Sequence, residues 1–330
     1  MMESLLIGED SYIEKVFSPE TLLHIRRESR LREPCLAAST VKSHSHALAN
    51  IEIIFGTWGM PVLDDEFLEM APKLQAVFYA AGTVKSFVRE DTWRRGVTIC
   101  SAWRANAVPV AEFALGAILL SLKNAWAYQR TLNATRDWAQ KLPVAGGFHG
   151  TVGLVSLGAV GMRVAELLES FDADVIAYDP VIDPKRLRGK SVKLVGLGEL
   201  FERSDVVSVH APWLKETEGL IGGYLIRSMK PFSTLINTAR GAVLNESELV
   251  DALRGRADLT AFLDVTHFEP PDPKSPLFDL PNVLLTPHIS GSLDAECQRM
   301  GNFMLEEYLR YRRNEPLQHQ VTPDMLQTMA

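Results

Sequence analysis

The chain has 330 residues, 46% of them hydrophobic and 23% charged, the balance of a globular protein long enough for two domains. Its formal net charge is −7 and it holds no dense Lys/Arg run, so a nucleic-acid partner is not expected. Cys35, Cys100 and Cys297 stand far apart, with no CxxC or zinc spacing, so no metal site is expected and the thiols read as reduced ones in a cytoplasmic protein.

The N-terminus, MMESLLIGEDSY, carries Glu3 and Glu9 and no basic segment, so it does not read as a signal peptide. Residues 1 to about 105 alternate short strand and helix signals. Strands are expected at 5–8, 51–55, 76–79 and 97–100, and helices at 21–31 and 64–70. His44 and His46 lack a carboxylate or cysteine partner nearby and read as a solvated loop. A largely apolar helix is expected at 110–123. The longest apolar run, 113–122, falls short of the roughly 20 residues that span a bilayer, so no membrane partner is expected. Segment 124–148 is polar and aromatic, without a clear strand pattern. It is a candidate arm over a partner subunit in a homodimer.

The most informative stretch is TVGLVSLGAVGMRVAELLESFDADVIAYDP, 151–180. It reads as a strand at 151–155, a glycine-containing turn, a helix with Val164, Leu167, Leu168 and Phe171 on one face, and a second strand at 175–178. Asp179 ends that strand. This is a dinucleotide-binding layout: glycines let backbone N–H groups approach a pyrophosphate, the helix N-terminus favours its charge, and the acid takes ribose hydroxyls. Ser156 stands where the fingerprint has its first glycine, and its Cβ restricts positive φ.

Beyond Pro180 the alternation continues. Strands are expected at 192–195, 205–210, 233–238, 259–265 and 283–287. The run DVVSVH suits a parallel sheet buried on both faces. Helices are expected at 197–203 and 222–230, after Asn245 with Glu248 as a capping box, and at 293–312. Ligands of open α/β sheets bind beyond the carboxyl ends of the strands. Those ends carry Asp179, His210-Ala211-Pro212, Thr238-Ala239-Arg240-Gly241, Asp264 with His267 and Glu269 beyond, and Pro287-His288. An arginine, a glutamate and a histidine thus share one edge with the cofactor turn. Histidine suits proton transfer near neutral pH, a neighbouring carboxylate fixes its ring, and arginine holds a carboxylate through two parallel bonds.

Four segments resemble the D-isomer-specific 2-hydroxyacid dehydrogenases: SLGAVG…AYDP (156–180), DVVSVHAPWLKETEGLIG (205–222), LINTARGAVLNESELVDAL (235–253) and LDVTHFEP…SPLFDLPNVLLTPHISG (263–291). The N-terminal part matches mostly through NAVPVAE (106–112) and the Ala81-Gly82-Thr83 turn. The resemblance implies that Arg240 binds substrate, that His288 is the acid/base with Glu269 as its partner, and that Asp179 takes the ribose of NAD(H). It implies that Asp264 holds the nicotinamide amide. Gly158, Ala159, Val160, Gly161, His210, Pro212, Thr217, Thr238, Ala239 and Gly291 then line the cofactor site. It also implies that backbone at Ala81 and Gly82 binds the substrate carboxylate. The chain departs from the family at Gly82-Thr83-Val84-Lys85-Ser86 and at Trp103-Arg104, which leaves the substrate open and makes Trp103 or Arg104 a candidate contact.

The expected fold is α/β: a Rossmann doubly wound parallel sheet over 106–291, and a smaller flavodoxin-like α/β substrate domain from 1–105 with 292–330. The expected function is NAD(H)-dependent interconversion of a small 2-oxo acid and its D-2-hydroxy acid. A rival reading is an NAD(H)-sensing regulatory protein of the corepressor type, which shares the fold and can keep the same three residues. A methyltransferase or flavin protein would leave Arg240, Glu269 and His288 unexplained.

Overall fold

The computed structural model describes residues 1–329. In chain order the strands are β1 (Glu3–Ile7), β2 (Arg30–Leu36), β3 (Ile53–Gly56), β4 (Ala76–Tyr79), β5 (Thr98–Ser101), β6 (Thr151–Val155), β7 (Asp174–Tyr178), β8 (Val192–Leu194), β9 (Val206–Val209), β10 (Thr234–Asn237), β11 (Thr260–Leu263), β12 (Val283–Leu285) and β13 (Gln320–Val321). The chain divides into two compact units, one of Met1–Asn106 with Ser292–Met329 and one of Ala107–Gly291.

The first unit holds a six-stranded sheet in the order β13-β5-β4-β3-β1-β2. Its five N-terminal strands run parallel in the 2-1-3-4-5 arrangement of flavodoxin-like folds, and β13 pairs antiparallel with β5. One face packs Leu5, Ile54, Val77 and Ile99; the other packs Phe55, Phe78, Met300, Met304 and Tyr308. The last three come from the helix Cys297–Arg312, so this core is closed by residues from both ends of the chain.

The second unit holds a seven-stranded parallel sheet in the order β12-β11-β10-β9-β6-β7-β8. Strand order reverses between β6 and β9, the doubly wound topology of Rossmann folds, and ligands of such sheets bind at that reversal. Strands β9, β10 and β11 are buried along their whole length, as apolar strands covered by helices on both faces must be.

Four expectations need correction. The helix expected at 21–31 ends at Glu28, and its last residues begin β2. The helix expected at 110–123 starts at Trp103 and runs through Pro109 to Leu122. At 20 residues it has the length and apolar composition of a membrane span, contrary to the reading of the shorter run inside it. Ala111, Ala114, Ala117, Ile118 and Leu122 nonetheless pack into the core of the second unit. Segment 124–148 holds no strand, in keeping with its sequence, and carries the helix Ala125–Thr135. The last helix opens with a 3-10 turn, Asp294–Glu296, and is α-helical from Cys297.

Candidate active site

The fingerprint turn sits between β6 and the helix Ala159–Leu168, at the strand reversal. A Cβ on Gly161 would collide with the Ser156 carbonyl oxygen, so the third glycine is required by the helix–turn packing. A Cβ on Gly158 would meet nothing within 4 Å, so the space in front of this helix N-terminus is open. The first-turn N–H groups, Ala159 and Val160 among them, have no partner within the helix and point their partial charge at that space. Ser156 has φ 75°, the left-handed conformation that glycine would supply. Asp179 closes the turn. Its Oδ2 accepts from Leu157 N at 2.7 Å, and its Oδ1 from Val181 N at 3.0 Å and Ile182 N at 2.9 Å.

Beside this turn lie groups with open hydrogen-bonding capacity. His210 is 9% exposed, and neither ring nitrogen has a partner. Burial pushes its pKa down to about 4. The hydroxyl of Thr238, also buried, is unpartnered. These orphaned polar atoms, the open cradle at Gly158 and the acid ending β7 fit a bound dinucleotide. Thr217 is different: its hydroxyl bonds Pro212 O at 2.5 Å and accepts from Leu214 N at 2.9 Å, so it shapes the 212–217 turn.

The ends of β10, β11 and β12 bring the chemistry-bearing side chains together. His288 Nδ1 donates to Glu269 Oε2 at 2.6 Å. Arg240 is largely buried, which lowers its pKa, while the Glu269 charge acts in the opposite sense. Glu269 therefore neighbours both the ring and the guanidinium. Arg240 also donates to Ala239 O at 2.6 Å. Asn237 holds this turn from inside: its Oδ1 accepts from Ala239 N and its Nδ2 donates to Arg240 O, each at 3.0 Å. That residue escaped the sequence reading, although an Asn ending a buried strand is a standard signal for such a turn.

His288 has φ 53°, an uncommon conformation for a non-glycine residue. Asp264, 1% exposed, holds it there. The Asp264 carboxylate accepts from Thr286 Oγ1 at 2.5 Å and from Ile289 N and Ser290 N at 2.8 Å, while its carbonyl accepts from His288 N at 2.9 Å. In this structure Asp264 is thus the organiser of the loop that presents His288. Gly291, half-buried, ends that loop and the second unit.

Ala81 and Gly82 lie in the first unit, after β4. Ser101, the last residue of β5, donates its hydroxyl to the carbonyls of both, at 3.0 Å for Ala81. Asn106 accepts from Ser292 N at 2.9 Å, and its amide lies 3.8 Å from where a Cβ on Gly82 would be. Among the described residues no group of three or more His, Cys, Asp or Glu side chains is arranged to hold a metal ion.

Comparison with known sequences decides the family. Residues 115–290 match the sequence model described as D-isomer specific 2-hydroxyacid dehydrogenase, NAD binding domain. The chain belongs to the D-isomer specific 2-hydroxyacid dehydrogenases. Its second unit accordingly carries that family's NAD binding domain, and the cofactor is NAD(H). The chain is 35% identical over 247 residues to the D-3-phosphoglycerate dehydrogenase of Mycobacterium bovis, covering 74% of this chain and 46% of that protein. It therefore spans about half the length of that relative. It is 31% identical over 258 residues to the glyoxylate reductase of Korarchaeum cryptofilum, covering 77% of each. The solved NAD-dependent formate dehydrogenase of Staphylococcus aureus, in complex with NAD, superposes with a TM-score of 0.69 at 25% identity, over 96% of this chain and 97% of that one.

Proposed function

We propose that this chain reduces a small 2-oxo acid to the D-2-hydroxy acid with NADH, and runs the reverse reaction with NAD. The observation that carries this reading is the 2.6 Å bond from His288 Nδ1 to Glu269, with Arg240 beside the same carboxylate. Because Glu269 takes the Nδ1 proton, Nε2 is the nitrogen left to exchange a proton with the substrate oxygen. NADH, when bound, supplies the hydride. His288 Nε2 gives its proton to the oxygen as C2 is reduced, and recovers it from the hydroxyl in the reverse direction. The guanidinium of Arg240 holds the substrate carboxylate and polarises the carbonyl, its strength raised by burial. The turn at Ala81 and Gly82, in the first unit, is assigned to substrate binding.

Asp179 is assigned to the ribose hydroxyls, which favours NAD over NADP because a 2′-phosphate would meet its charge. Gly158, Ala159, Val160 and Gly161 are assigned to the pyrophosphate, and His210, Pro212, Thr238, Ala239 and Asp264 to the rest of the cofactor. A homodimer belongs to the same reading, supported by Trp138 and Phe148, 81% and 74% exposed on segment 124–148.

Steady-state NADH oxidation against glyoxylate, pyruvate, hydroxypyruvate and bulkier 2-oxo acids tests this. His288→Ala should lower kcat by about 10²–10⁴-fold for the best substrate. Full activity in that variant would refute the mechanism. NADH binding without turnover of any 2-oxo acid would favour the regulatory alternative.

A further inference from the structure

Ser156 stands in the cofactor turn but has no task in the proposed function. Its backbone is pinned. Its N–H donates to Tyr178 O at 2.8 Å, and its carbonyl oxygen is the group that a Cβ on Gly161 would strike. Its φ of 75° is one that glycine adopts freely and serine rarely. A glycine would therefore serve the turn as well or better, and what serine adds is a hydroxyl. That hydroxyl stands 3.4 Å from Asp179 Oδ2.

The hydrogen bonds of Asp179 give that hydroxyl a meaning. A carboxylate has about four lone-pair sites, two on each oxygen. Oδ1 accepts from Val181 N at 3.0 Å and from Ile182 N at 2.9 Å, both in the chain that follows β7. Oδ2 accepts from Leu157 N at 2.7 Å and from Ser156 Oγ. Every site is thus taken, and a ribose hydroxyl that donates to Asp179 must displace one donor. The three N–H groups are fixed by the backbone. The Ser156 hydroxyl is not. It turns about a single side-chain torsion, and its contact is long for an O–H donor, which ordinarily sits at about 2.7–2.8 Å. Ser156 and Asp179 are both half-buried, so both stay partly open to a ligand.

We propose that Ser156 is a ribose-binding residue of the cofactor site. In the free chain its hydroxyl fills the place on Asp179 that a ribose hydroxyl takes. On binding it leaves Asp179 and bonds the ribose itself, as donor or acceptor. A long contact is then exchanged for a bond of ordinary length, so the exchange favours the bound state. This rests on the proposed assignment of Asp179 to the ribose and adds a second residue to it. Both residues belong to the second unit, which holds every group the exchange needs.

The test uses the full chain and reads binding and stability. Ser156→Ala deletes the hydroxyl and keeps the Cβ, while Ser156→Gly also frees the backbone. Each should weaken NADH about five- to tenfold in a fluorescence titration. Without NADH, the Ser156→Gly chain should melt as high as the parent or higher, since its φ suits glycine, and this separates lost affinity from lost fold. Calorimetry with ADP, 2′-deoxy-ADP and 3′-deoxy-ADP locates the contact. The loss that Ser156→Ala shows with ADP should vanish for the ligand that lacks the hydroxyl Ser156 meets. A loss that persists with both deoxy ligands overturns the contact and leaves Ser156 a part in the shape of the turn alone. Unchanged NADH binding in Ser156→Ala overturns it as well, and so does tighter binding, which would make the hydroxyl a placeholder only. Asp179→Ala keeps the two readings apart. If it weakens NADH while Ser156→Ala does not, the ribose assignment of Asp179 stands and the contact falls. If it binds NADH like the parent while Ser156→Ala loses affinity for ADP and for only one deoxy ligand, the contact stands and the assignment falls.

Discussion

Ser156 takes the place of a glycine, and the backbone still adopts the conformation a glycine would. A non-glycine residue in the left-handed region costs on the order of 1 kcal/mol. Asp179 offsets this by accepting from the very next N–H, that of Leu157, at 2.7 Å. The residue assigned to the ribose therefore also shapes the turn. His210 raises the opposite problem, a buried imidazole with nothing to bond. Its pKa falls from 6.5 to about 4, so between those values the unfolded chain binds a proton that the folded one does not. Stability must then drop as pH falls through that window, by about 2 kcal/mol between pH 7 and pH 5 for this residue alone. Urea unfolding of the NADH-free chain at the two pH values measures the drop. His210→Gln should shrink it by that amount, and an unchanged difference would show that the ring is hydrated or paired in solution.

At the scale of elements, burial explains which features could be read from sequence. Strands β9, β10 and β11 are apolar throughout because helices cover both faces, and so they were plain. Strand β2 was hidden: RLREPCL is a mostly exposed edge strand with charges and a proline, the composition edges use to resist pairing. The start of the helix Trp103–Leu122 was hidden by Pro109, which ordinarily marks a helix boundary. That Arg240, Glu269 and His288 lie near one another was legible because strand ends can be located from apolar runs. Asn237, Thr286 and the loop-holding task of Asp264 were missed, since a side chain that braces its own neighbourhood leaves no spacing pattern. Glu307 was missed for the same reason. It is a fully buried carboxylate on an otherwise amphipathic helix, and it fixes Gln318 and His319 just ahead of β13. Removing it would strand two backbone N–H groups and the Arg310 charge. Glu307→Ala should therefore cost the first unit about 3 kcal/mol in thermal or urea unfolding. Glu307→Gln, which keeps an acceptor oxygen, should cost clearly less. Equal losses in the two variants would mean that the charge, and not the backbone clamp, is what matters.

For the whole molecule, the two units differ in how the chain builds them. The cores of the second unit draw only on residues between Ala111 and Leu285. The first unit needs both ends of the chain: Met300, Met304, Leu305 and Tyr308 fill one face of its sheet, and Val321 joins the other. Tyr308 is fully buried, with ring centres 5.1 Å from Phe55 and 5.6 Å from Phe78. Burying these four helix residues contributes roughly 2–3 kcal/mol each, a sum comparable to the whole stability of a domain. Two fragments make the asymmetry measurable. Residues 107–291 should fold alone, unfold cooperatively and bind NADH. Pro109 then sits in the first turn of its helix, where a missing N–H costs nothing. Residues 1–106 should lack fixed aromatic packing in near-UV circular dichroism, because Phe55 and Phe78 have lost their cover. Adding 292–330 through a short linker should restore it. A native-like spectrum from 1–106 alone would show that the returning helix caps a core already complete, and that the first unit is closed by its N-terminal strands and helices without it.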